Sequence, residues 1–193
     1  MQIVISRYSE DIQWSASFSH CIIYNKGDPV DSPHPVITLP NVGREGHTYL
    51  HHIIQNYDHL DDYTVFLQGY PFDHSPYLED ILKELHGRIK KNEYIPFHII
   101  SKDIYRIYVN YHEGDVFGHP LVGPIYTQLM GPVDDTKTIE FGAGAHFLVS
   151  KAIILSRPKA FYEAMLSLLD KECGPVEGYA VERLWSAVFR QCD

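Results

Sequence analysis

Four short apolar runs, each ending in a polar loop, occupy the first third of the sequence. Ile3-Val4-Ile5 precedes Ser6-Arg7-Tyr8-Ser9, and Cys21-Ile22-Ile23-Tyr24 precedes Asn25-Lys26-Gly27-Asp28-Pro29. Val36-Ile37-Thr38-Leu39 precedes Pro40-Asn41-Val42-Gly43, and Tyr63-Thr64-Val65-Phe66-Leu67 precedes Gln68-Gly69. The runs are continuously apolar and not alternating, which is the pattern of strands covered on both faces, with crossovers between them. A chain with this pattern is expected to build an α/β sheet, largely parallel and flanked by helices.

The spacing turns helical from Arg44 to Tyr57, where Tyr49, Ile53 and Tyr57 lie four apart with Leu50 and Ile54 beside them. A second helix is expected after Ser75-Pro76, a capping residue followed by proline at the first helical position. Glu79 and Asp80 suit its positive end, and Leu78, Ile81, Leu82, Leu85 and Ile89 form its stripe. Residues 94–138 are less regular and rich in Gly and Pro, and read as a loop-rich insertion with one or two strands. Order returns at Phe147-Leu148-Val149, followed by two helices opening at Pro158 and Pro175 and running to about Leu169 and Phe189. A length of 193 residues suits one domain over 1–193.

Charge narrows the function classes. Sixteen Lys and Arg against 25 Asp and Glu give a net charge of −9, the wrong sign for nucleic acid or an anionic membrane surface. Cys21, Cys173 and Cys192 are an odd number at no metal-ligand spacing, which argues for a reducing compartment without a disulfide framework. The opening MQIVISRYSED meets Arg7 and Glu10 too soon for a signal peptide, and no later stretch is a membrane span, so a cytoplasmic location is expected. Twelve His and 14 Tyr suit a polar cleft with aromatic walls.

In open α/β sheets ligands sit beyond the carboxyl ends of the strands. That rule selects Arg7-Tyr8, Asn25-Lys26, Asn41-Val42-Gly43-Arg44 and Gln68-Gly69 as one rim. Gly43 and Arg44 at the start of a helix suit a phosphate, and equally an ordinary strand-to-helix turn with a solvated arginine. The stretch from Gln68 to His74 is either part of the site or simply a turn. His47 and His51, four apart with His52 adjacent, have the spacing of a zinc pair but no HExxH around them, so polar edge positions are the other reading.

The segment NVGREGHTYLHHIIQNYDHLDDYTVFLQGYPFDH (41–74) resembles the stretch of GT-A glycosyltransferases that runs from an Asn-x-Gly loop through a helix to the strand ending at the DxD motif. FGAGAHFLVS (141–150) is similar to their Gly/Ala-rich strand, and GYAVERLW (178–185) to their acidic helix entry. More closely, RYSEDIQW, IYNKG, NVGREGHTYL, FLQGYPFDH, GAHFLVS and ERLW together resemble a family of uncharacterised, glycosyltransferase-like fungal and viral proteins.

The resemblance implies a single GT-A-like (Rossmann-like) domain that transfers a sugar from a nucleotide diphosphate sugar, such as a UDP sugar, to a hydroxyl of a glycan or protein-glycan acceptor, with 94–138 on the acceptor side. It assigns Arg7, Tyr8, Asn25 and Lys26 to the nucleoside, and Asn41, Gly43 and Arg44 to ribose and phosphates. Gln68 and Gly69 then lie at the diphosphate, with Asp73 and His74 as ligands of a divalent cation (Mn or Mg), and His146 and Glu182 at the sugar and acceptor.

One departure bears on the metal: where the family places Asp-x-Asp, this chain has Gln68-Gly69-Tyr70, without a carboxylate. Glu182 is favoured over Glu177 as base or acceptor-binding carboxylate, against a salt bridge to Arg183. His146 is read as facing substrate between small residues, or as a core histidine. Trp14 and Trp185 are sugar platforms or core. Two rivals follow: a catalytically inactive GT-A-like module that binds a glycan or a protein, and a metal-dependent hydrolase built on the histidine-rich helix with Asp73 and His74.

Overall fold

In the computed structural model, which describes residues 1–190, the four apolar runs are parallel strands: β1 (Gln2–Arg7), β2 (Cys21–Asn25), β3 (Val36–Thr38) and β4 (Tyr63–Gln68). The later strands are β5 (Phe97–Ile99), β6 (Ile104–Tyr108), β7 (Thr138–Gly142) and β8 (Phe147–Ser150). The main sheet has the order β3-β2-β1-β4-β8-β5, in which β8 runs antiparallel to both neighbours. β6 and β7 form a separate antiparallel pair.

The helices are α1 (Arg44–Gln55), α2 (Leu78–Lys90), α3 (Val122–Met130), α4 (Lys151–Leu155), α5 (Lys159–Leu169) and α6 (Glu177–Phe189). Successive strand side chains point to opposite faces, so each strand feeds two cores. Val4, Tyr24, Phe66, Phe147 and Val149 meet Tyr49, Ile53, Met165, Val181 and Trp185 from α1, α5 and α6. Ile3, Ile5, Ile23, Val65, Leu67 and Leu148 meet Leu78, Leu82 and Leu85 of α2. Each fully buried side chain of this size contributes about 1.5–3 kcal/mol, which explains why β1, β2 and β4 read as unbroken apolar runs. A third cluster joins the β6–β7 pair to α3 and α6 through Ile107, Ile139, Phe141, Val122 and Leu184. The result is one mixed α/β domain with a mostly parallel sheet between helices.

Several expectations are corrected. β3 is not covered on both faces: all three of its residues are exposed, because it is the sheet's edge. Ser75 does not cap α2, which begins at Leu78; Ser75 is buried and its hydroxyl bonds His146 instead. The 94–138 insertion contains a helix the sequence hid, α3, because Gly123 and Pro124 look like breakers but occupy its first turn, where proline is tolerated. Cys21 is buried and Cys173 exposed, both as free thiols; Cys192 lies outside the described residues. Among the described residues no helix is long and apolar enough to cross a membrane.

Candidate functional site

A cavity of about 320 Å³ opens beyond the carboxyl ends of β1, β2 and β4, lined by Ser6, Arg7, Tyr8, Glu10, Lys26, Asn41, Arg44, Glu45, Gln68 and Cys173. Its size is that of a small-molecule site. Of the residues expected on the rim, Arg7, Tyr8, Lys26, Asn41, Arg44 and Gln68 share this cavity.

The cations there are not equivalent. Arg7 is buried, and its donors are largely taken by the chain itself. Nε donates to the Glu10 carbonyl at 2.9 Å, and Nη1 to Asn25 Oδ1 at 2.6 Å and to the Tyr8 and Asp28 carbonyls at 3.1 and 2.9 Å. Asn25 is thus beneath the cavity and not in it, bridging Arg7 to the Gly27 and Asp28 carbonyls. Lys26, also buried, donates through Nζ to the carbonyls of Val42 at 2.6 Å and Arg44 at 2.5 Å. Burial lowers its pKa from 10.5 to about 8, with Glu45 and Cys173 opposing.

Those two carbonyls belong to a left-handed turn, with φ of 62° at Gly43 and 51° at Arg44. The Gly43 and Arg44 amides are taken by the carbonyls of Glu172 and Cys173. This corrects the phosphate role expected of Gly43. A Cβ there would lie 2.6 Å from His47 Cβ and 2.7 Å from the Leu169 carbonyl oxygen, so glycine is required for the turn and for close packing on α5.

The turn aims the Arg44 side chain at the cavity, with its guanidinium 4.5 Å from the Tyr179 ring centroid and Nε 3.8 Å from Glu45. Burial works against its charge, but Glu45, Tyr179 and Glu182 together raise its pKa. Glu45 is the carboxylate that the sequence reading missed. Its side chain is only 10% exposed, and burial raises its pKa; Glu182 pushes the same way, while Arg44 and hydrogen bonds from its own amide and Gln68 oppose. Glu10 is a second unexpected carboxylate in the wall, accepting the amides of Tyr8 and Ser9. Gly69 is not a liner. Its Cβ position would meet the Glu10 carboxylate at 2.6 Å, and its carbonyl accepts the Trp14 indole.

Glu182 is partly enclosed but sits behind the cavity, accepting the Gly144 amide at 2.8 Å and lying 3.8 Å from Arg183. Glu177 pairs with Lys171 at 2.8 Å on the surface. His146 does not face substrate: it is 1% exposed, bonds Ser75 Oγ through Nδ1 at 2.9 Å, and burial, then His74, lowers its pKa to about 3. The small residues before it serve backbone packing, since a Cβ on Gly144 would lie 2.5 Å from the His74 ring.

Asp73 is exposed and His74 lies 3.5 Å from Asp103; neither lines the cavity. His47 pairs with Asp170 at 3.6 Å, His52 with Tyr24, and among the described residues no three of His, Cys, Asp and Glu converge as a metal site. Trp14 packs edge-on against Phe18 and Phe72, and Trp185 is buried against Phe147 and Phe189. Trp185 is a core residue, and Trp14 is half-buried with its ring packed against the α2-side core.

The fold and cavity define an α/β protein with a ligand-sized site at the strand carboxyl ends. The chain belongs to the family described as Protein of unknown function (DUF3431), which matches residues 3–193. No curated protein and no solved structure matches it.

Proposed function

We propose that the protein is a glycosyltransferase of GT-A type that binds a nucleotide diphosphate sugar in the cavity and transfers the sugar to an acceptor hydroxyl. The observation that carries the reading is the convergence of Arg7, Lys26 and Gln68 from the ends of β1, β2 and β4, and of Arg44 from the start of α1, on one cavity that also holds an enclosed carboxylate.

Arg44, held over Tyr179, carries the guanidinium whose donors are least used by the backbone and is the group for the diphosphate. Glu45, an enclosed carboxylate in the cavity wall whose pKa burial raises, is the group for accepting the acceptor proton. In the transfer step the acceptor oxygen bonds the anomeric carbon, the bond from that carbon to the phosphate oxygen breaks, and the acceptor proton passes to Glu45. Gln68, in place of the family's carboxylate, with Asp73 and His74 turned elsewhere, does not fit a divalent cation, and no step runs through one.

A second reading, the inactive binding module, is favoured by the engagement of Arg7 and Lys26 with backbone carbonyls. Calorimetry with UDP, GDP and dTDP sugars, with and without manganese, followed by a transfer assay, separates the two. Binding with turnover lost in Glu45→Gln supports the transferase, binding without any turnover supports the module, and no binding by any of them overturns both as nucleotide readings.

A further inference from the structure

A second, much smaller cavity of about 10 Å³ lies behind the site, with His146, Glu182, Trp185 and Ser186 among its lining residues and an apolar wall that includes Phe97, Ile99, Phe141 and Phe147. That volume is close to the minimum that holds a single water molecule. Two of its lining groups are shielded from solvent and have no hydrogen-bond partner among the described residues: Trp185 Nε1 and His146 Nε2. An unmade hydrogen bond at a buried group is costly, and native folds pair nearly all such groups. Most other polar atoms here are committed, and Glu182 Oε2, 3.8 Å from Arg183, is the acceptor left over. His146 Nδ1 is bonded to Ser75, Glu182 Oε1 to the Gly144 amide, and Ser186 donates to the Glu140 carbonyl.

We propose that this cavity binds one resident water molecule, which accepts the Trp185 indole N–H and links His146 Nε2 to the Glu182 carboxylate. A water has two protons to give and two lone pairs to fill. Here it accepts a hydrogen bond from the indole N–H, donates one to the carboxylate, and donates the other to the imidazole nitrogen left bare when the ring proton sits on Nδ1 toward Ser75. Neutral imidazole is the form burial favours at His146. Trp185 and His146 are then positioning residues that steady Glu182 from behind while Gly144 holds its other oxygen. Glu182 takes no step in the function proposed above and bears on that site only through its charge, which acts on Arg44 and Glu45; the water site does not depend on that function.

The wild-type protein provides the test. It has two tryptophans, so the Trp185→Phe variant assigns both indole resonances. The expected result is a cross-peak between the Trp185 indole proton and water with NOE and ROE of opposite sign, the mark of a long-lived bound water. A high-resolution crystal structure should show one water within about 3.2 Å of Trp185 Nε1, His146 Nε2 and Glu182. In Trp185→Phe the water should be lost and Glu182 should become disordered, with the ring stack on Phe189 kept. A dry cavity, or an indole proton in contact with no long-lived water, overturns the site whether or not the protein transfers sugar. A water that is present, with Glu182 unmoved when it is removed, overturns the positioning role.

Discussion

The most exacting test of the site's electrostatics is Lys26→Met compared with wild type across alkaline pH. The Lys26 ammonium is buried, and its pKa is lowered from 10.5 to about 8. Between those values the unfolded chain holds more protons at this position than the folded one, so folding stability must rise with pH in that window. At pH 7 the depressed pKa costs the wild type about 3.4 kcal/mol, of which less than about 1 kcal/mol remains at pH 10. The Met variant has no such group, so wild-type stability should gain about 2.5 kcal/mol on the variant between pH 7 and 10. For a chain of this size that is a relative shift of roughly 5–10 °C in Tm. At pH 7 the two proteins should be close, because the variant also loses two charge-assisted bonds to carbonyls, at about 1.5–3 kcal/mol each. Urea unfolding of both proteins under reducing conditions at several pH values measures the difference and cancels the tyrosines common to both. A stability difference that is flat from pH 7 to 10 would refute the claim that Lys26 is a desolvated ammonium clamping the Val42–Arg44 turn.

Other outcomes follow from the same geometry. Gly43→Ala places a Cβ at a φ of 62° against His47 and the Leu169 carbonyl, and should lower stability by about 3 kcal/mol in denaturant titration; an unchanged midpoint would contradict the packing described. Glu45→Gln should reduce sugar transfer by about 100-fold or more while retaining nucleotide affinity in calorimetry. Because burial raises the Glu45 pKa above 4.5, the folded state holds the extra proton, and wild-type stability should fall relative to Glu45→Gln as pH rises through that region; a difference that rises instead would reverse the assignment. Ser75→Ala strands His146 Nδ1 in the core and should cost about 1–3 kcal/mol by thermal unfolding, whereas a true helix-capping role, which the structure denies it, would be rescued by Ser75→Asp.

The sheet was legible because burial on both faces leaves a plain mark: Ile3 to Ile5 and Val65 to Leu67 are apolar at every position. The edge strand gave the same signal for a different reason, since neighbouring pairing on one side is enough to keep Val36 and Ile37 in a β conformation while they stay exposed. α3 was hidden because a proline in a first helical turn and a proline in a loop look alike in sequence. In the site, the rim positions after each strand were legible from topology alone. What each side chain does there was not, because hydrogen bonds to carbonyls such as those of Val42 and Asp28 involve atoms that every residue carries. Glu45 did leave a trace. The four-residue spacing of Tyr49, Ile53 and Tyr57, carried one step back, falls on Glu45, and a carboxylate on the buried stripe of a helix is the anomaly that marks it.

The carboxyl ends of parallel strands present backbone carbonyls to the rim, and these demand donors. A cation placed there has structural work available before any ligand arrives, so its presence alone does not define an anion site. The number of donors left over is what distinguishes the cases. Lysine has three N–H groups and arginine five. Lys26 spends two on Val42 and Arg44, and Arg7 spends Nε and Nη1, leaving Nη2 without a partner among the described residues. Arg44 is held mainly by the face of Tyr179 and by Glu45, neither of which saturates its fork. The backbone pays for this placement with a left-handed arginine, and Lys26 supplies the compensation by gripping the carbonyls on either side of Gly43. Arg7 and Lys26 therefore build the wall, and Arg44 is the cation there whose donors the backbone uses least. Removing Arg44 should abolish nucleotide affinity at little cost to the fold, while removing Arg7 should damage the fold first.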